Sequence, residues 1–286
     1  VRLVHALRAA DNIGGIPAAL GLADVFGHPT VSALAGRIRA LRAESDGGAG
    51  AALARPPLVP APAADLHPLS ANQEQMLVLF DLDRTSPVYN MPHVQRFDEQ
   101  LDASAVRRCL EALVERHPTL RTHVVEDGAT GEPMQRVAGM SEYEIGFEVL
   151  AVEDGSGSGE AFVSRLCDAP FDLYAGPWAR FGLLQHGEAG EEEVGSTLVL
   201  GMHHIAGDGW SSGVLTRELA ALYDAAMEDQ ALSGAALCAA AGLVPLEVQY
   251  VDFAHWQREW LSVVSEGQLA YWRGQLGAAG PAPLEL

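Results

Sequence analysis

The stretch "ESDGGAGAALARPPLVPAPAADL", from Glu44 to Leu66, constrains this chain more than any other. It is rich in Ala, Gly and Pro and carries neither a helical nor a strand period, so it reads as a linker, stiff and extended in its proline-containing half. The chain must then fold as two units: residues 1–44, a linker over 45–66, and residues 67–286. About 44 residues is too few for an independently stable core, so the first unit reads as the remainder of a small helical bundle. In "HPTVSALAGRIRALRAE", Val31, Leu34, Ile38 and Leu41 recur at spacings of three and four behind a Pro-Thr helix start, and "VRLVHALRAA" repeats the stripe.

The larger unit mixes both periodicities. "HPLSANQEQMLVLF" opens with Ser70 and Gln73 in capping-box spacing ahead of an apolar run. "DASAVRRCLEALVERHP" places Val106, Cys109, Leu110, Leu113 and Val114 on one helical face, and Pro118 ends it. "LRTHVVED" and "PMQRV" read as one strand pair, "PWARFGLLQH" and "STLVLGMHH" as a second. "SSGVLTRELAALYDAAM" then puts Leu215, Leu219, Leu222 and Ala226 in register for a buried helix face. The expected class is an α/β or α+β layer fold.

Composition narrows the function. Eighteen Lys plus Arg against 38 Asp plus Glu give a formal charge of -20, which repels a phosphate backbone, so nucleic acid is not an expected partner. No apolar run long enough to span a bilayer and no leader segment is seen, which makes the cytoplasm the default location. Both ends read as cut from a longer polypeptide. Cys109, Cys167 and Cys238 are far apart and odd in number, as expected of reduced structural thiols.

The chemistry concentrates in "MHHIAGDGWSS", residues 202–212. Strand alternation puts Leu198, Leu200, Met202 and His204 on one side and Val199, Gly201 and His203 on the other. The two histidines point apart, and no Cys or Glu stands nearby at ligand spacing, so no metal site is expected. Gly207, Asp208 and Gly209 let the chain reverse before Ser211 or Ser212 caps the next helix. Asp208 can return towards the strand end to orient an imidazole or to pair with a distant arginine. A histidine at a strand end amid apolar residues suits general-base work; the alternative is a purely structural histidine.

Four segments in order extend the argument. "HPLSANQEQMLVLFDLDRTSPVYNMP" resembles the first motif of nonribosomal peptide synthetase condensation domains, and "RHPTLRT", residues 116–122, looks like the second. "MHHIAGDGWS" matches the third, and "YVDFAHWQ", residues 250–257, resembles the fourth. "LADVFGHPTVSALA" is similar to the last helices of peptidyl carrier proteins. The resemblance implies a chloramphenicol acetyltransferase-like fold of two lobes meeting at a tunnel, of which this chain holds the first, so the site lacks its second wall. It implies amide formation between thioesters borne on 4'-phosphopantetheine arms of an upstream and a downstream carrier domain, beside an adenylation domain. The serine that bears the arm of the preceding carrier is expected upstream of Val1, and no metal is implied.

Carried onto this chain, His204 acts on the attacking amine as base or positioner, Asp208 is structural through a salt bridge, and Gly209 lets the pantetheine arm approach. His203, Trp210, Arg116 and Arg121 support the motif; Arg116, Arg121 and Arg180 are the candidate partners of Asp208. Tyr250, Asp252 and Trp256 read as structural. The first motif departs from the family at Gln75, usually an arginine, and at Leu77, usually aromatic. An epimerisation domain shares the paired histidines, although "DGWSSG" and the long linker fit condensation better. A free-standing coenzyme A acyltransferase is disfavoured by the carrier remnant, and a non-catalytic docking module remains a further reading.

Overall fold

The structure is a computed structural model that describes residues 20–46, 55–152, 157–187 and 194–277. The expected "VRLVHALRAA" stripe, residues 188–193 between "PWARFGLLQH" and "STLVLGMHH", and the closing "PAPLEL" lie outside the described residues. Contacts divide the chain after Arg55.

In the first unit, α1 (Leu22–Gly27) and α2 (Val31–Asp46) are joined by an ion pair from Arg37 Nε to Asp24 Oδ1 at 2.9 Å. Thr30 accepts the Ala33 N–H, confirming the Pro-Thr helix start. Leu41 is buried, but Val31 is 89% exposed, because the expected stripe begins on the first helical residue.

The second unit contains two sheets. His67–Pro68 (β1), Thr122–Glu126 (β3) and Pro133–Val137 (β4) form an antiparallel sheet in the order β1-β4-β3. Asn90–Phe97 (β2), Phe147–Val152 (β5), Ala179–His186 (β6) and Gly195–His203 (β7) form the other, ordered β2-β7-β6-β5, with only β5 and β6 parallel. Both expected strand pairs are present. The helices are α3 (Ala71–Leu82), α4 (Ala103–Arg116), α5 (Ser158–Asp168), α6 (Gly209–Glu228), α7 (Gly234–Ala240) and α8 (Tyr250–Leu276). Ser70 and Gln73 form the expected capping box of α3. A short 3-10 turn over Pro118–Arg121 follows α4, as Pro118 requires.

Burial explains the central position of β7, whose nine residues are all buried. Leu198, Leu200 and Met202 pack on Leu215, Leu219 and Leu222 of α6 and on Leu110 and Leu113 of α4. Val199 faces the opposite way, towards Phe162 and Leu166 of α5. Each such side chain contributes about 1.5 to 3 kcal/mol when fully buried. A strand covered on both faces is held in one register, so the residue that follows it is placed firmly.

The proline-rich segment from Pro56 onward belongs to the second unit. Asp252 Oδ1 accepts the Ala61 N–H at 2.7 Å, and Trp256 Nε1 donates to Pro56 O at 2.6 Å. The expected 45–66 linker is therefore tied to the second unit at Pro56 and Ala61, and its first two residues belong to α2. Among the described residues no helix is long and apolar enough to cross a membrane. Cys109 and Cys238 are buried free thiols, and burial raises Cys109 to about 12, which keeps it unreactive.

Candidate active site

His203 closes β7 and His204 stands just beyond it. The His203 N–H donates to Trp178 O and the His204 N–H to Tyr89 O, both at 2.9 Å, so the backbone of the pair is tied to β6 on one side and to the start of β2 on the other. The chain then turns: Ala206 N–H donates to His203 O at 2.9 Å, and Ile205 N–H to His203 Nδ1 at 3.1 Å. Nδ1 is thus an acceptor, and the neutral ring carries its proton on Nε2. The ring is buried between Tyr89 and Phe171, and that burial lowers its pKa to about 4. The neighbouring His204 adds a smaller share of that lowering. His203 is a neutral brace, and His204 is the exposed imidazole that the brace presents.

Asp208 corrects two expectations. It is itself the N-cap of α6, its Oδ1 accepting the Ser211 N–H at 2.9 Å and the Ser211 hydroxyl at 2.8 Å, so Ser211 and Ser212 lie inside the helix. These bonds, the backbone one first, hold its carboxyl below the usual range, and His204 adds to the effect. Nor does any candidate arginine pair with it. Arg116 binds Glu218 at 3.1 Å and Val244 O at 2.7 Å. Arg121 donates to Val114 O and Ala138 O. Arg180 donates to Pro170 O at 3.0 Å and lies over the Phe171 ring, 3.6 Å from its centre. Each is taken up by backbone or by a nearer partner, while the helix amides already compensate Asp208.

Second-motif residues hold the site from behind. Glu218 of α6 accepts from Arg116 and, at 2.6 Å, from His117, and the Thr119 hydroxyl donates to Ala206 O at 3.4 Å. Burial raises the Glu218 carboxyl, but the His117 and Arg116 bonds outweigh it and leave the group below the usual range.

His204 heads a cleft of about 290 Å³ between the first turns of α3, the turn from His204 to Asp208, and the start of α8. Asn72, Gln75 and Met76 line one wall, and Ile205, Ser211 and Tyr250 complete it. Tyr250 reaches Ser70 Oγ at 2.9 Å, Gln257 accepts the Ala71 N–H at 2.8 Å, and Arg258 Nε donates to Leu69 O at 2.8 Å. The fourth motif thereby fastens α8 to the first. Glycine is not required by packing at Gly209, where an added Cβ would meet nothing within 4 Å. At Gly207 it would meet Ser211 Cβ at 2.9 Å and Met202 Sδ at 3.0 Å, so that glycine is structural. Trp210 is 53% exposed and does not line the cleft. The sequence did not single out Asn72 or Met76, and it offered Ser211 only as a helix cap; the spacing of Asn72 and Gln75, three apart on α3, was the available signal.

Residues 63–284 match the family model described as Condensation domain. The chain belongs to the condensation domain family. Its curated relatives include gramicidin S synthase 2 of Brevibacillus brevis, 32% identical across 94% of this chain and 5% of that protein. Another, phosphinothricin tripeptide synthetase PhsC of Streptomyces viridochromogenes, is 37% identical across 75% of this chain and 19% of its own length. Among solved structures, the X-domain in complex with OxyB from teicoplanin biosynthesis superposes with a TM-score of 0.67 at 22% identity, over 82% of this chain and 48% of that one. The starter condensation domain of rhizomide synthetase RzmA gives 0.59 at 19% identity, over 75% and 48%. This condensation domain thus spans about half the length of its solved neighbours and a small fraction of its curated relatives. The chloramphenicol acetyltransferase-like α/β fold expected for the larger unit is the fold these structures share.

Proposed function

We propose that this domain forms the amide bond between two carrier-borne thioesters in nonribosomal peptide synthesis, with His204 acting on the attacking amine. The observation that carries the reading is the exposed His204 imidazole at the head of a cleft, held there by a buried neutral neighbour and by a doubly covered strand. The amine nitrogen attacks the thioester carbonyl carbon and gives a proton to His204; the tetrahedral intermediate collapses, the C–S bond breaks, and the departing sulfur takes a proton. A base in this position contributes about 10² to 10⁴ in rate. Asp208 fixes the start of α6, and its charge supports the imidazolium that forms. Open space beside Gly209 leaves room for a phosphopantetheine arm borne by either partner carrier.

Residues 1–44 are read as the end of a carrier domain. The match to gramicidin S synthase 2, which extends over 94% of the chain, supports this, as does the division after Arg55. The expected partners are the upstream and downstream carriers and an adenylation domain, in the cytoplasm. A docking role is the second reading, favoured by likeness to an X-domain solved in complex with OxyB. Intact-protein mass spectrometry on the full-length protein, with donor and acceptor carriers loaded with different aminoacyl groups, decides between them. Transfer of the donor mass to the acceptor carrier is expected; no transfer with any substrate pair favours docking.

A further inference from the structure

Most hydrogen-bonding groups around the cleft are already spoken for. Tyr250 Oη is engaged by Ser70 Oγ at 2.9 Å. Gln73 accepts the Ser70 N–H at 2.9 Å and exchanges its amide with Gln135 at 3.2 Å. Ser211 is committed to Asp208. Asn72 and Gln75 differ from these. Both line the cleft, both are exposed, and neither side chain hydrogen-bonds any described residue. They stand three apart on α3 and so share one face, about 5 to 6 Å between Cβ atoms.

A carboxamide offers two N–H donors and one carbonyl acceptor and carries no charge. Among the described residues no Lys or Arg lines the cleft and Asp208 is the one carboxylate there, so an anionic group meets repulsion from it. Two neighbouring neutral carboxamides complement a group that shows both an N–H and a C=O along one edge, as an extended chain of secondary amides does. We propose that Asn72 and Gln75 read the secondary amides of the thioester-borne substrate, one accepting an amide N–H and the other donating to an amide C=O, while His204 acts on the amine. The inference rests on the amide-forming reading above. The amides come from one of two sources, a peptidyl group or the pantetheine arm.

The test uses the full-length protein and the double substitution Asn72→Ala and Gln75→Ala, both at exposed helical positions where alanine is well tolerated. Three donors are compared: a peptidyl thioester on pantetheine, the same group with its amide N–H replaced by an ester oxygen, and the peptidyl group on a simple alkyl thiol. Two hydrogen bonds of ordinary strength correspond to roughly a tenfold preference, read in KM rather than kcat. Wild type is expected to prefer amide over ester if the peptidyl group is read, or pantetheine over alkyl thiol if the arm is read. The double variant should lose that preference. A variant that keeps every wild-type preference overturns the proposal. Calorimetric titration with pantetheine and with an N-acetyl dipeptide amide needs no turnover. Roughly tenfold weaker binding of one probe by the variant supports the pair, and unchanged binding of both overturns it. If wild type forms no amide with any donor, the amide-forming reading fails, and the titration still decides on Asn72 and Gln75.

Discussion

His203 should make the fold acid-sensitive by an amount that follows from its surroundings. In the native state the ring is only 3% exposed, accepts the Ile205 N–H on Nδ1 and titrates at about 4; in the unfolded chain it titrates near the ordinary value of about 6.5. The folded state therefore excludes a proton that the unfolded state takes up. Its contribution is intact above about pH 6.5 and is lost as pH falls towards 4, at about 1.4 kcal/mol per pH unit. Roughly 2 kcal/mol should be gone at pH 5, and about 3 below pH 4. His203→Asn keeps an acceptor oxygen near the Nδ1 position and removes the titration. Urea unfolding of both proteins at pH 7 and pH 5 isolates the effect, because His123 and His255, also lowered by burial, are common to both. Wild type should lose about 2 kcal/mol more than the variant over that interval. Equal losses would refute the assignment of His203 as a buried neutral brace.

The remaining predictions concern α6 and the sheet. Asp208→Ala removes the N-cap and should cost about 0.5 to 2 kcal/mol, seen as a lower melting temperature. Asp208→Asn keeps the capping oxygen and should melt near wild type; loss of activity in that variant alone would assign the carboxylate charge a chemical role. Gly182→Ala places a methyl against Leu166 Cδ1 and 3.0 Å from Phe162 Cζ, and should destabilise the protein by about 1 to 3 kcal/mol in thermal unfolding.

Sequence periodicity carried the helices that bury one clean face and the strands that run apolar. Cys109, Leu110, Leu113 and Val114 are all inaccessible in α4, and β7 is where "STLVLGMHH" put it. Among the described residues three strands escaped: the two-residue β1, too short to show any period, and the edge strands β2 and β5. β2 is an edge strand with Pro92 inside it and mixed exposure, and β5 is an edge strand joined only through β6, so neither shows a clear alternation. At the site, His204 and the turn after it were legible because strand, glycines and helix follow one another locally. The partners of Asp208 were not: the sequence offered arginines, while the helix start supplied nearer donors. Nor could spacing show that Tyr250 meets Ser70 across 180 positions, or that the proline-rich segment is tied down by Asp252 and Trp256.

The most direct test of the central claim is the single-turnover rate of amide formation by His204→Ala in the full-length protein, with both carriers loaded and the acceptor followed by intact mass. The account predicts a rate at least about 10²-fold below wild type, with the fold intact because this side chain is exposed. A rate equal to wild type would contradict it and leave the paired histidines as scaffold.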